Sequence, residues 1–179
     1  MKDNNSEDIR NAILFQFDMA WQLLEYHFVD IDDDECLWKP CENGLHVYCE
    51  NGVWRADFPT REGYDVGPPS IAWITWHIIF WWSMVFDYSF WDGVLIRESV
   101  FWSGSADAAK KHITQLHDKW RDILKTMPAA DFCSSKQTKY PFADKPFYEL
   151  AMWLNLELIK NTSEIGYCRF LYAAQNHDS

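Results

Sequence analysis

The stretch PSIAWITWHIIFWW, Pro69 to Trp82, decides the fold. Pro68-Pro69-Ser70 is a helix-opening phrase, and the apolar residues that follow predict a helix running to about Ser89. A helix apolar nearly all round is one buried on two sides. Its polar positions, Thr75, Ser83 and Asp87, fall at spacings of eight and four and so mark one line. His77 lies about 200° from Thr75 around the axis, at ~100° per residue. The imidazole therefore points inward, beside Ile74, Ile78 and Trp81. It is either an ordinary core histidine or one ligand of a metal site completed from elsewhere in the chain.

Working outward, three more helices are legible. Ser6 is a candidate N-cap for the first, followed by Ile9, Ile13, Phe17, Ala20, Trp21, Leu24 and Phe28 at helical spacing. His27 lies on the edge of that stripe and reads as a core-rim histidine. Ser105 is a candidate cap for the third, whose stripe Ala109, Ile113, Leu116, Trp120, Leu124 and Met127 ends at Pro128. His112 and His117, about 140° apart on that helix, cannot face one metal and read as surface or rim groups. The last helix spans about Phe147 to Ala174. Asn155, Thr162, Ser163 and Arg169 cluster on one side of it. Leu150, Trp153, Glu157, Asn161, Glu164, Cys168 and Leu171 share the opposite arc.

The segment from about 30 to 68 carries the turn chemistry, with Asp32-Asp33-Asp34, Lys39-Pro40 and Glu42-Asn43-Gly44 reading as loop. HVYCENGVWRAD places β-formers on either side of Asn51-Gly52, which predicts a hairpin with a type I′ turn. There is no internal repeat. The expected architecture is all-α: one domain over residues 1–179, a four-helix bundle with a small β-hairpin insert between the first and second helices.

Acidic residues outnumber basic ones 27 to 16, for a net charge of −11. Such a surface repels phosphate backbones, so no nucleic-acid partner is expected. The polar, acidic N-terminus MKDNNSEDIR is unlike a targeting peptide, and the apolar run Ile71 to Phe86 is too short and interrupted for a membrane span. Cys36, Cys41, Cys49, Cys133 and Cys168 are odd in number and lack CxxC spacing, which predicts reduced thiols and a cytoplasmic protein. Aromatic residues make up 17% of the chain, with 11 Trp. That is enough for a bulky core and a second apolar surface, either a pocket wall or a subunit interface. The two-sided apolar second helix points to a homodimer.

Two carboxylates and an amide in the apolar arc of the last helix each need a partner. If the second and fourth helices are neighbours, His77 can meet Glu157, Asn161 and Glu164. One imidazole with one or two carboxylates is the start of a divalent-cation site; a hydrogen-bonded structural network is the alternative. Trp81 and Trp153 would wall a pocket for a small molecule there, with Lys160 and Cys168 beside it. Cys168 reads as a structural thiol rather than a nucleophile.

Three phrases, LWKPCENG, PSIAWITWHIIFWW and ELIKNTSEIGYCRFLYA, resemble the DinB/YfiT-like superfamily of four-helix bundles, which commonly carry a metal on a histidine triad. The resemblance covers most of the chain apart from the hairpin insert. It implies a metal-dependent hydrolase or thiol S-transferase, with a zinc- or nickel-class ion on His77 and Glu164 and Glu157 or Asn161 as extra ligand. This chain departs from the pattern at two of three positions. Glu164 stands where a histidine precedes x-Gly, and Lys160 stands four residues earlier, where a charged ammonium cannot ligate. Lys160 and Glu164 could instead pair with each other as i, i+4 neighbours. The rival reading is a non-catalytic binding or interaction protein with a degenerate metal site, in which the His77–glutamate cluster only satisfies buried polarity and the excess aromatics build a homodimer interface.

Overall fold

The computed structural model describes residues 2–59 and 65–177; residues 60–64 of the expected insert lie outside the described residues. Four long helices form the body: α1 (Lys2–His27), α3 (Ile71–Phe90), α4 (Ala106–Thr126) and α6 (Phe147–His177). Short helices α2 (Asp33–Leu37) and α5 (Ala129–Phe132) lie in the connections. Strands β1 (Val47–Glu50) and β2 (Val53–Ala56) pair antiparallel between α2 and α3.

Side-chain contacts fix the helix directions. Ile13 on α1 lies level with Asn155 on α6, and His27 level with Gly166, so these two helices run parallel. His77 meets Asn161, and Trp81 meets Trp153, so α3 runs antiparallel to α6. Arg10 reaches the end of α4 while Trp21 stacks on its middle at His117, so α4 is antiparallel to α1. The bundle is therefore up–down–down–up, with α3 and α4 joined by the crossover 91–105.

The helix starts on α3 and α4 follow the caps read from the sequence. Ser70 Oγ accepts from Trp73 N at 3.3 Å, and Ser105 Oγ from Ala108 N at 3.1 Å. Ser6 does not cap α1: the helix begins at Lys2 and Ser6 is a buried interior residue. Asp32-Asp33-Asp34 is not loop throughout. Asp32 caps α2 by accepting from Glu35 N at 2.8 Å, and the following acids suit the helix's positive end. At the hairpin tip Asn51 and Gly52 have φ of 53° and 78°, the pair of positive values a type I′ turn demands.

The tryptophans of α3 fasten its connections as well as filling the core. Trp73 Nε1 donates to Asp57 O at 2.7 Å, tying down the insert, and Trp76 Nε1 donates to Val100 O at 2.8 Å, tying down the crossover. Thr75 accepts from Trp102 Nε1 at 3.0 Å, and Asp87 Oδ2 accepts from Leu95 N at 2.7 Å. The polar line on α3 is thus the seat of the crossover rather than a solvent edge. An indole combines a large apolar body with a donor at its rim.

Two arginines close helix C-termini, where carbonyls lack intrahelical partners. Buried Arg10 donates to Leu124 O and, at 2.6 Å, to Met127 O, and its guanidinium lies 4.6 Å from the Phe132 ring centroid. Arg169 donates to His27 O and Val29 O at 2.8 and 2.9 Å and grips Glu35 with two further bonds.

Candidate functional site

His77 is buried, 5% exposed, on the face of α3 that packs against α6. Trp73, one turn earlier, stacks on it with centroids 4.8 Å apart. Trp81, one turn later, donates its indole N–H to His77 Nε2 at 2.8 Å. An indole nitrogen can only donate, so Nε2 is the acceptor and the ring proton resides on Nδ1. His77 Nδ1–H then donates to Asn161 Oδ1 at 3.0 Å, reaching across to α6. Both ring nitrogens are thereby in use. Burial, followed by the nearby Lys160 charge, pushes the His77 pKa down to about 4, with the Asn161 hydrogen bond opposing the shift. The imidazole is neutral at pH 7.

The α6 side chains around it are distributed as follows. Asn161 is buried and bonded to His77. Glu157 is half-buried, with Lys160 Nζ 2.8 Å from its Oε2, an ion pair by distance whose angle is not that of a hydrogen bond. Glu164 is half-buried, and its charge helps to raise the Cys168 thiol. Cys168 donates to Pro69 O at 3.3 Å, and burial lifts its pKa to about 11. Trp81 and Trp153 touch each other, with centroids 4.9 Å apart and rings nearly perpendicular, and Phe142 packs against Trp153. The void beside them, lined by Trp81, Trp82, Glu157 and Asn161 but not by Trp153, measures about 10 Å³. That is room for one water at most, on the ~10–15 Å³ a water needs.

These donors do not suit a divalent ion. A ligating histidine offers one ring nitrogen to the metal and uses the other to orient itself. Here both ring nitrogens are engaged, by Trp81 and Asn161, and an ammonium sits on Glu157. Among the described residues, no group of three His, Cys, Asp or Glu side chains is placed to hold a metal.

Three polar residues lie where the sequence did not put them. Asn155 and Thr162, read as one polar side of the last helix, are fully buried at the α1 seam. Asn155 Nδ2 donates to Ile13 O at 3.0 Å and to Gln16 Oε1 at 3.1 Å. The helix has two packed sides rather than one, because α1 and α3 flank it. His117 is buried as well, not a surface group: its ring stacks on Trp21 and Phe17, 3.8 and 5.0 Å between centroids. Its apolar partners come from α1, which the spacing within α4 does not reveal. Gly166 has a local reason. A Cβ there would stand 2.5 Å from His27 Cε1, so glycine lets α1 and α6 close on each other.

An up–down–down–up bundle with one buried histidine on its second long helix, facing polar groups on its fourth, defines a recognisable class of helical protein. The DinB superfamily profile matches residues 16–165, and the chain belongs to that superfamily. Comparison with curated proteins and with solved structures gave no match. Among the described residues no helix is long and apolar enough to cross a membrane.

Proposed function

We propose that this DinB-superfamily chain is a non-catalytic binding and interaction protein, in which the residues of the superfamily's metal position serve as a structural clasp between α3 and α6. One observation carries the reading: both nitrogens of His77 are engaged, one by Trp81 and one by Asn161. A metal-dependent hydrolase needs an open coordination position, and a thiol S-transferase needs room for two substrates. A void of about 10 Å³ beside the clasp favours neither. The Cys168 thiol, raised to about 11, is also a poor source of thiolate at neutral pH.

The test is metal analysis of protein purified without chelator, beside His77→Ala. The reading expects well under one equivalent of zinc, nickel, manganese or iron per chain, unchanged by the substitution, and a melting temperature indifferent to EDTA. One equivalent lost in His77→Ala overturns it. Should His77→Ala fail to fold, the wild-type ring supplies the answer through ¹⁵N NMR. A proton fixed on Nδ1, with Nε2 shifted as a hydrogen-bond acceptor, supports the clasp; a metal-shifted Nε2 refutes it.

A further inference from the structure

The geometry points to the joint outer face of α1 and α6 as the site where a second copy of this chain docks. The inference deepens the interaction reading above, and rests on it, by naming the partner and the surface. On α1, Phe15, Met19 and Tyr26 recur within about 40° of one direction; on α6, Leu156, Tyr167 and Phe170 recur within about 60°. All six are exposed, Phe170 at 74%, Tyr26 at 71% and Phe15 at 69%.

The two stripes look the same way. Gln16 and His27 turn one flank of α1 toward α6, and Asp18 turns the other toward Arg121 on α4. Asn155 and Arg169 turn one flank of α6 toward α1, and Asn161 and Cys168 turn the other toward α3. What remains on each helix is the outward direction. Because the helices are parallel and Ile13 is level with Asn155, Phe15 and Leu156 lie side by side, as do Tyr26 and Tyr167 farther along. The result is one two-helix face, crossed by the polar residues Gln22, Lys160 and Ser163.

Area and charge argue for a second copy. The six side chains expose on the order of 700–800 Å², taking ~200 Å² for a whole aromatic side chain. A monomer's largest apolar patch is typically ~300–600 Å², and each partner of a standard interface contributes ~800 Å². In a chain of net charge −11, the one charge inside the stripes is Lys160, paired with Glu157, and the acids in line with them, Asp8 and Glu149, lie beyond their N-terminal ends. A cationic partner would be drawn to the acidic remainder of the surface. A face whose one internal charge is already paired is where two acidic copies can meet, as a two-fold contact requires the same patch on both sides. Long-range repulsion between the copies then makes association tighter as salt rises.

Sedimentation velocity of the full chain between 5 and 100 µM tests this. Expected is a species of twice the 21.2 kDa chain mass, whose dissociation constant falls as NaCl is raised from 50 to 500 mM. Met19→Glu and Leu156→Glu should each weaken it about 100-fold or more, with circular dichroism and melting temperature unchanged. Val94→Glu, at an exposed apolar position in the crossover, should leave it intact. A monomer at 100 µM, or a dimer indifferent to both face substitutions, overturns the inference. So does a monomer that instead floats with phosphatidylcholine vesicles, which assigns the face to lipid. Failure here with His77 still fixed on Nδ1 and metal-free removes the dimer alone. One equivalent of metal in an intact dimer removes the non-catalytic reading alone.

Discussion

Acidification should weaken this protein through His77, and the size of the effect follows from its surroundings. In the unfolded chain an imidazole titrates near 6.5, whereas in the fold His77 resists protonation until about pH 4. Between those values the unfolded state binds a proton that the native state refuses, so stability rises with pH across that window. The contribution is complete above pH 6.5 and is lost progressively toward pH 4. At 1.36 kcal/mol per pH unit the whole window is worth ~3 kcal/mol, and ~2 kcal/mol is gone by pH 5. Urea unfolding of the wild type and His77→Gln at pH 5, 6 and 7 isolates this share. The remaining histidines and the neighbouring Lys160, Glu157 and Glu164 are common to both proteins. His77→Gln should be the less stable at pH 7, with the gap narrowing by ~2 kcal/mol at pH 5. A gap constant across that range, or a native His77 resonance titrating near 6.5, refutes the argument.

Other consequences concern the seams of the bundle. Gly166→Ala should lower stability by about 1–2 kcal/mol because the new methyl meets the His27 ring. In a thermal double-mutant cycle the penalty should vanish in a His27→Ala background; strict additivity would show that the ring is not the obstacle. Arg10→Met keeps the apolar stem but strips Leu124 O and Met127 O of their donor, which should cost about 2 kcal/mol in urea unfolding. An unchanged midpoint would count against the capping role. Burial raises the thiols of Cys36 and Cys168 to about 12 and about 11, whereas Cys49 and Cys133 are exposed. A disulfide reagent should therefore label Cys49 and Cys133 in the native protein and reach Cys36 and Cys168 only on unfolding; rapid native labelling of Cys168 would contradict its burial.

Much of the fold was written in local pattern. Pro69-Ser70 and Ser105 capped helices where expected, and Asn51-Gly52 turned a hairpin, because caps and turns are satisfied by residues a few positions apart. The inward direction of His77 also followed from a local angle. Ser6 misled because a capping residue type carries no information about whether the chain before it continues the helix. The apolar girth of α3 was read as surplus for a subunit interface. In the fold α4, α6, the insert and the crossover cover it, and the exposed apolar side chains lie mainly on α1, α6 and the crossover instead.

Composition and periodicity alone determined that this chain is a helical bundle with a buried imidazole, since burying an apolar stripe is a property of each helix by itself. Which atoms meet that imidazole belongs to the tertiary structure. Asn161 rather than Glu164 accepts from Nδ1, and Trp81 occupies Nε2, because the register of α3 against α6 is set by the whole packed seam. Hydrogen bonding is decided over tenths of an ångström, and helical spacing resolves only the side of a helix on which a residue lies.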